Sequence, residues 1–417
     1  GAENLKITYA EAGQLATQFA KLGNVSGDKY KTIGDELGVG VGMSRAFGMD
    51  PSQGVGVLGQ MRGVGMTSDT QESRRFALLI GETIGKSNAF AKSEEVMEAI
   101  AGFASSQTRN NMGRANVEGY AGSFSSMVGS GIPGLDPAGA GSLLARINSS
   151  LSAGGAKGEA SQFFTGSIGA SMGLNPYQTR MLREGGAFAT GDSMFGEGSA
   201  YARYKGRTGP GGNMTMMEAT LKRLRGQYGE GSDELADATA NHLGIGINQA
   251  MAVLSLKPNQ MGGMAKYGDI SKLSGSGIGN LSKALYGTDA DRSGIATSLM
   301  GRKDVSAEDK ASLRTAMDSG NVEQQKEVLA RLTAQYEQER TQGSDIRDSK
   351  NALDNIKTAM ADKLVPLMTD MRLGIMHIAG AGKKSPNEIM KEVIGLESRD
   401  REAGIHGDFE ARRKSAI

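Results

Sequence analysis

Residues 81–87, Gly81-Glu82-Thr83-Ile84-Gly85-Lys86-Ser87, have the residue types of a phosphate-binding loop. That loop, G-x-x-x-x-G-K-[ST], wraps phosphates with backbone N–H groups and follows a strand. Here the spacer between the glycines is one residue short, and the preceding residues 68–80 carry a helical pattern. The segment therefore reads as a helix end, with Gly and Lys in the last turn where a cation complements exposed carbonyls. Gly380-Ala381-Gly382-Lys383-Lys384-Ser385 lacks both the spacing and the strand, and reads as a loop before a helix near Pro386.

Glycoside hydrolysis needs two carboxylates facing each other across a cleft. Glu11, Glu184 and Glu218 lie near helix starts or loops and are the candidates for such a pair. Thr8-x-x-Glu11 and Thr215-x-x-Glu218 are capping boxes, in which the carboxylate reaches back to the cap N–H. Glu184, ahead of Gly185-Gly186, has no such structural task. Other chemistry finds no starting point. His242, His377 and His406 are far apart, without metal-ligand spacing. There are no cysteines, which excludes thiolate chemistry and disulfides. No G-x-S-x-G nucleophile elbow occurs. Accordingly no catalytic residue, cofactor or metal site is assigned. Arg74-Arg75, Arg223 with Arg225, and Arg412 to Lys414 lack interleaved aromatics. They read as solvated helix faces rather than a nucleic-acid site, and a net charge of +1 provides no field to draw in a polyanion.

The elements that would position these groups are set by one recurring phrase. Gly48-Met49-Asp50-Pro51, Gly134-Leu135-Asp136-Pro137 and Gly173-Leu174-Asn175-Pro176 each join a helix stop to a helix start, and Gly244-Ile245-Gly246-Ile247 is a looser copy. Glycine takes the left-handed conformation that ends a helix. The apolar residue staples onto the next helix, Asp or Asn caps it, and Pro fits its first position. Gln53, Gln178 and Gln249 follow the phrase in three copies. The copies are too irregularly spaced for a solenoid.

Around these joints the chain reads as all-α: short glycine-terminated helical hairpins in a compact body, with a longer helical C-terminal third. A first helix carries Leu15 and Phe19. A second, starting at Ser26 or Asp28, carries Ile33, Leu37 and Val41. Glycines 34, 38, 40 and 42 would weaken that helix by about 1 kcal/mol each, and make sense if another helix crosses closely there. Ser68-x-x-Gln71 is expected to cap a fourth helix, Ser93 a fifth, and Asn116 or a neighbour a sixth. The Ser- and Gly-rich residues 149–158 read as a linker. Composition then places domains at 1–150, 151–304 (with glycine-rich loops near 184–198 and 206–213) and 305–417, the last charged and suited to self-association. Within it Leu353, Ile356, Met360, Leu364, Leu367 and Met371 form one helical stripe, kinked at Pro366.

With 62 glycines, about twice the usual share, 23 methionines and no tryptophan, the composition fits helices in close contact with small residues at the crossings. Residues 1–30 show no apolar core of signal-peptide length. No apolar run of about 18 residues or more occurs, so no membrane span is expected.

Residues 34–53, Gly-Asp-Glu-Leu-Gly-Val-Gly-Val-Gly-Met-Ser-Arg-Ala-Phe-Gly-Met-Asp-Pro-Ser-Gln, lead into 55–66, Val-Gly-Val-Leu-Gly-Gln-Met-Arg-Gly-Val-Gly-Met. This resembles the bacteriophage tail tape measure proteins, in which Gly/Ala-rich helices, capped turns and further Gly-terminated helices recur. Asp362-Lys363-Leu364-Val365-Pro366-Leu367-Met368 is similar to a later stretch of that family. The resemblance to such a protein, or a fragment of one, implies a virion structural protein of the tail lumen, acting in tail assembly and genome ejection and delivered to the host cell envelope on infection. It implies the tail tube and baseplate or tip proteins as partners, a homo-oligomer, and late contact with the host envelope. The alternatives are a virion-associated peptidoglycan-degrading enzyme using Glu184 or Glu218, and a non-enzymatic helical scaffolding or ejection protein.

Overall fold

Capping chemistry decides where the helices of this chain begin and end. In the computed structural model, residues 8–25, 33–110, 115–153, 166–269 and 272–343 are described. They form an all-α protein, with no strand among the described residues. The helices are α1 (Tyr9–Leu22), α2 (Ile33–Ala46), α3 (Pro51–Gly63), α4 (Thr70–Lys86), α5 (Ser93–Asn110), α6 (Val117–Gly129) and α7 (Pro137–Ala153). After a helical stretch at 166–171 come α8 (Pro176–Glu184), α9 (Gly191–Phe195), α10 (Ala200–Lys205), α11 (Met216–Tyr228), α12 (Asp233–Leu243) and α13 (Ile247–Ser255). The described chain closes with α14 (Gly275–Tyr286), α15 (Asp289–Gly301), α16 (Ala307–Asp318) and α17 (Val322–Gly343).

The four-residue phrase does what its residue types dictate. Gly48, Gly134, Gly173 and Gly244 all have positive φ, between 66° and 83°. In three copies the next N–H reaches back to the carbonyl five residues earlier: Met49 to Ser44 at 2.8 Å, Leu174 to Gly169 at 2.9 Å and Ile245 to Ala240 at 3.0 Å. That bond closes a helix C-terminus around a left-handed residue. The Asp50 and Asn175 side chains cap α3 and α8, while Gln53, Gln178 and Gln249 accept the N–H of Asp50, Asn175 and Gly246 in return. Leu135 and Leu174 are buried, and Met49 and Ile245 pack on the core. Gly48→Ala has open space for its methyl, so its cost is backbone strain alone, about 1–2 kcal/mol, measurable by urea denaturation.

Carboxylate caps also give the fold an acid-sensitive edge. Ser52 holds Asp50 below the ordinary aspartate range, Lys92 does the same for Asp136, the Thr288 hydroxyl for Asp291, and the Tyr336 hydroxyl for Asp309. A carboxyl whose folded pKa is depressed stabilises the fold above its unfolded value, and that stability is lost as pH falls through the folded one. Thermal melts should therefore fall below about pH 4, and Asp309→Asn should flatten part of that decline.

Between the caps, helices meet at glycine. α14 lies across α2, α4 and α17. A methyl on Gly42 would sit 2.7 Å from the Ser276 nitrogen, and one on Gly275 would run into the Val39 carbonyl. α2 and α3 are joined similarly, with the Gly54 N–H donating to the buried Ser44 hydroxyl at 2.9 Å. The close crossing expected of the second helix is thus present, and it is made with two partners. Behind these seams lies a core of Phe19, Leu58, Ile80, Ile100, Phe124 and Leu143, extended by Leu243 and Ile278 from later helices. A second cluster gathers Leu182 and Phe195 around α8–α10, and a third gathers Leu299, Leu313 and Leu332 in α15–α17.

Three local expectations shift. α4 is capped by Asp69, whose side chain accepts the Glu72 N–H at 2.8 Å, one residue beyond the expected Ser68. Ser68 instead donates to Glu72. Residues 149–153, expected in a linker, continue α7, because Leu151 falls on the buried face of Leu144 and Ile147. A short helix, α9, also interrupts the glycine-rich stretch 184–198. The expected start of the second helix at Ser26 or Asp28, the stripe from Leu353 to Met371 and the segment Gly380 to Ser385 lie outside the described residues.

Candidate functional site

The residues that looked most like a site, Gly81 to Ser87, form the last turns and C-cap of α4. Their backbone is helical, so it cannot fold around a phosphate. Gly81 and Gly85 face α14: the Ser282 hydroxyl donates to the Gly81 carbonyl at 2.7 Å, and a methyl on Gly85 would strike Tyr286. Glu82 and Lys86, one turn apart, pair at 2.7 Å with Glu82 buried. The Glu82 carboxylate also accepts the N–H groups of Gly262 at 2.9 Å and Gly263 at 2.8 Å, and a hydrogen bond from Tyr286. Burial, together with the Glu82 charge, pushes the Tyr286 hydroxyl well above its usual range.

The candidate carboxylates are scattered. Glu11 sits exposed on α1, where its carboxylate accepts from the Thr8 N–H at 2.7 Å and hydroxyl at 2.9 Å, which holds its pKa below the usual range. Glu184 ends α8 on an exposed face and accepts from Arg180 Nε at 2.9 Å. Glu218 accepts from the Thr215 N–H at 2.8 Å and hydroxyl at 3.0 Å, the capping box expected of it. Glu218 also lines a cleft.

That cleft, of about 720 Å³, lies among α6, α11, α12, α13 and the segment after α13. Met127, Met217, Leu221 and Leu235 supply buried apolar wall, and half-exposed Met251 stands at its side. Glu218, Arg225, Glu230, Asp233 and Lys257 supply charges of both signs. Arg225 is engaged with the Leu254 carbonyl at 2.9 Å. The arrangement offers apolar surface with mixed charge, and no two of the candidate carboxylates meet in it. Among the described residues no group of three His, Asp or Glu side chains is placed to hold a metal ion. His242, half-buried in the last turn of α12, has its pKa lowered by burial, and His377 and His406 lie outside the described residues.

Of the three buried carboxylates among the described residues, Glu36, Glu82 and Glu337, the first two lie deepest, and none of the three was expected inside from the sequence pattern. Besides Glu82 there is Glu36, fully buried, which takes Arg62 Nη1 at 2.6 Å and the Ser73 hydroxyl at 3.0 Å. Each falls on the apolar face of its own helix, Glu36 beside Ile33, Leu37 and Gly40, and Glu82 between Ile80 and Ile84. A charge in register with a buried stripe was the available signal.

No protein-family model, no curated protein and no solved structure matches the chain.

Proposed function

We propose that the chain is a non-enzymatic structural protein of a phage tail interior, of the tape-measure type, acting in tail assembly and genome ejection. The observation that carries this reading is the make-up of residues 34–66, whose sequence resembles that family. Several of their glycines and one of their charges are committed to helix packing: Gly42 to α14, Gly54 to Ser44, and Glu36 to Arg62 and Ser73. The three candidate carboxylates support it as well, since two are caps and the third is paired with Arg180 on an exposed face.

Within that reading the described body is a folded part rather than a ruler. Its longest described helix has 22 residues, about 33 Å at 1.5 Å per residue. The partners proposed are tail tube and tip or baseplate proteins and copies of the same chain, with the tail lumen as location. Cryo-EM of virions produced with a tagged chain should show the tag inside the tail; recovery of the chain only as a free monomeric protein, absent from virions, overturns the reading.

The alternative, a peptidoglycan-degrading enzyme, is favoured only by the position of Glu218 in the cleft. Zymography decides it. The purified protein should give no clearing of peptidoglycan, and Glu218→Gln and Glu184→Gln should behave as the parent does. Clearing that Glu218→Gln abolishes would replace the structural reading with the enzymatic one.

A further inference from the structure

Residues 256–263 join α13 to the short helical turn Met264–Tyr267 without forming a helix themselves. No side chain from Leu256 to Gly262 is fully buried; Leu256 packs, partly buried, on the core at the near end, and what fixes the stretch beyond it is a row of polar tethers to two other helices. On α6, the Ser126 hydroxyl donates to the Lys257 carbonyl at 2.7 Å, the Asn259 N–H donates to the Gly122 carbonyl at 3.0 Å, and Asn259 Nδ2 donates to the Ser125 hydroxyl at 3.1 Å. On α4, Lys86 donates to the Gln260 carbonyl, and Glu82 receives Gly262 and Gly263. The far end is anchored by buried Met264, and Gly262 has a φ of +91°, a conformation suited to a pivot. Leu256, Lys257 and Pro258 form part of the wall of the 720 Å³ cleft.

A segment held by hydrogen bonds with little apolar burial opens at a lower free energy than the core around it. We propose that residues 256–263 are a releasable strap, locked by the buried Glu82 carboxylate, and that its release widens the neighbouring cleft. The proposal assigns a task to the segment that resembled a phosphate loop: Glu82 and Lys86 of that segment hold two successive backbone N–H groups and a carbonyl of the strap. It is independent of the tail-interior reading, because it concerns a local opening of the folded chain whatever that chain assembles with.

Gly122 provides a way to lift the strap without touching the lock. The strap lies so close to α6 that a methyl on Gly122 would collide with the Asn259 carbonyl. Gly122→Ala on the full chain is therefore one variant and Glu82→Gln the other; if Glu82→Gln fails to fold, Gly122→Ala alone carries the test. Native-state hydrogen exchange reads the Asn259, Gly262 and Gly263 amides, and NMR of methyl-labelled methionine reads Met217 and Met251 in the cleft, with Met43 and Met61 in the core as controls. In the parent the three strap amides should exchange by an opening insensitive to low denaturant, unlike core amides of α5. In the variants they should exchange at least about tenfold faster, with shifted Met217 and Met251 resonances and unshifted Met43 and Met61. Strap amides that exchange in the parent only with the core, or faster strap exchange that leaves Met217 and Met251 unmoved, overturn the proposal.

Discussion

Gly42→Ala will destabilise the protein by about 3 kcal/mol, while Gly38→Ala, one turn earlier in the same helix, will stabilise it by about 0.5–1 kcal/mol. The chemistry of the two substitutions is identical, and only the surroundings differ. A methyl on Gly38 meets nothing within 4 Å, so the gain is the conformational entropy that alanine removes from the unfolded chain. A methyl on Gly42 is placed against the backbone of Gly275 and Ser276, at 3.1 and 2.7 Å. Backbone cannot rotate aside as a side-chain tip can, so α2 and α14 must separate, and the overpacking cost exceeds the propensity gain. Urea midpoints of the two single variants measure both. Equal effects of the same sign would show that α14 does not cross α2 at these residues.

The second large effect concerns the ion pair in the core. Arg62→Met should cost about 2–3 kcal/mol at neutral pH, because it removes the guanidinium that donates to the fully buried Glu36 carboxylate at 2.6 Å. Glu36→Leu combined with Arg62→Met should recover most of the loss, since a packed apolar pair of similar volume equals or exceeds a buried ion pair in stability. Denaturant unfolding of the parent, Arg62→Met, Glu36→Leu and the double variant forms the cycle that isolates the pairwise coupling. An Arg62→Met variant as stable as the parent would mean that Glu36 is solvated or otherwise compensated.

The joints were legible in the sequence because capping is local chemistry. Gly48, Asp50, Pro51 and Gln53 lie within six positions, and each acts on backbone groups within reach of its own side chain or torsion. Where two neighbours could both cap, as at Ser68 and Asp69, composition alone misplaced the start by one residue, and the geometry chose the carboxylate. At 149–153 the serine-rich composition suggested a linker, yet the apolar spacing of Leu144, Ile147 and Leu151 carried the helix through. The glycines of α2 announced a close crossing without naming its partner, because α14 lies about 230 residues further along the chain and no local rule connects the two. The partners of Glu82 stayed hidden for the same reason, although its place in a buried stripe was a signal. Its partners, Gly262 and Gly263, are backbone N–H groups, and these leave no mark on side-chain pattern.

The placement of α14 also fixes an order of events while the chain is being made. The backbone of α2 at Val39 and Met43 lies directly under Gly275. Synthesis proceeds from the N-terminus, so α2 and α3 can form their joint early but must wait about 210 further residues for α14. Closure of so long a loop is entropically costly and slow. The first helices of this protein are therefore among the first to form and among the last to be locked in place. A chain released before Tyr286 would carry its glycine-lined seam uncovered, free to accept the wrong helix.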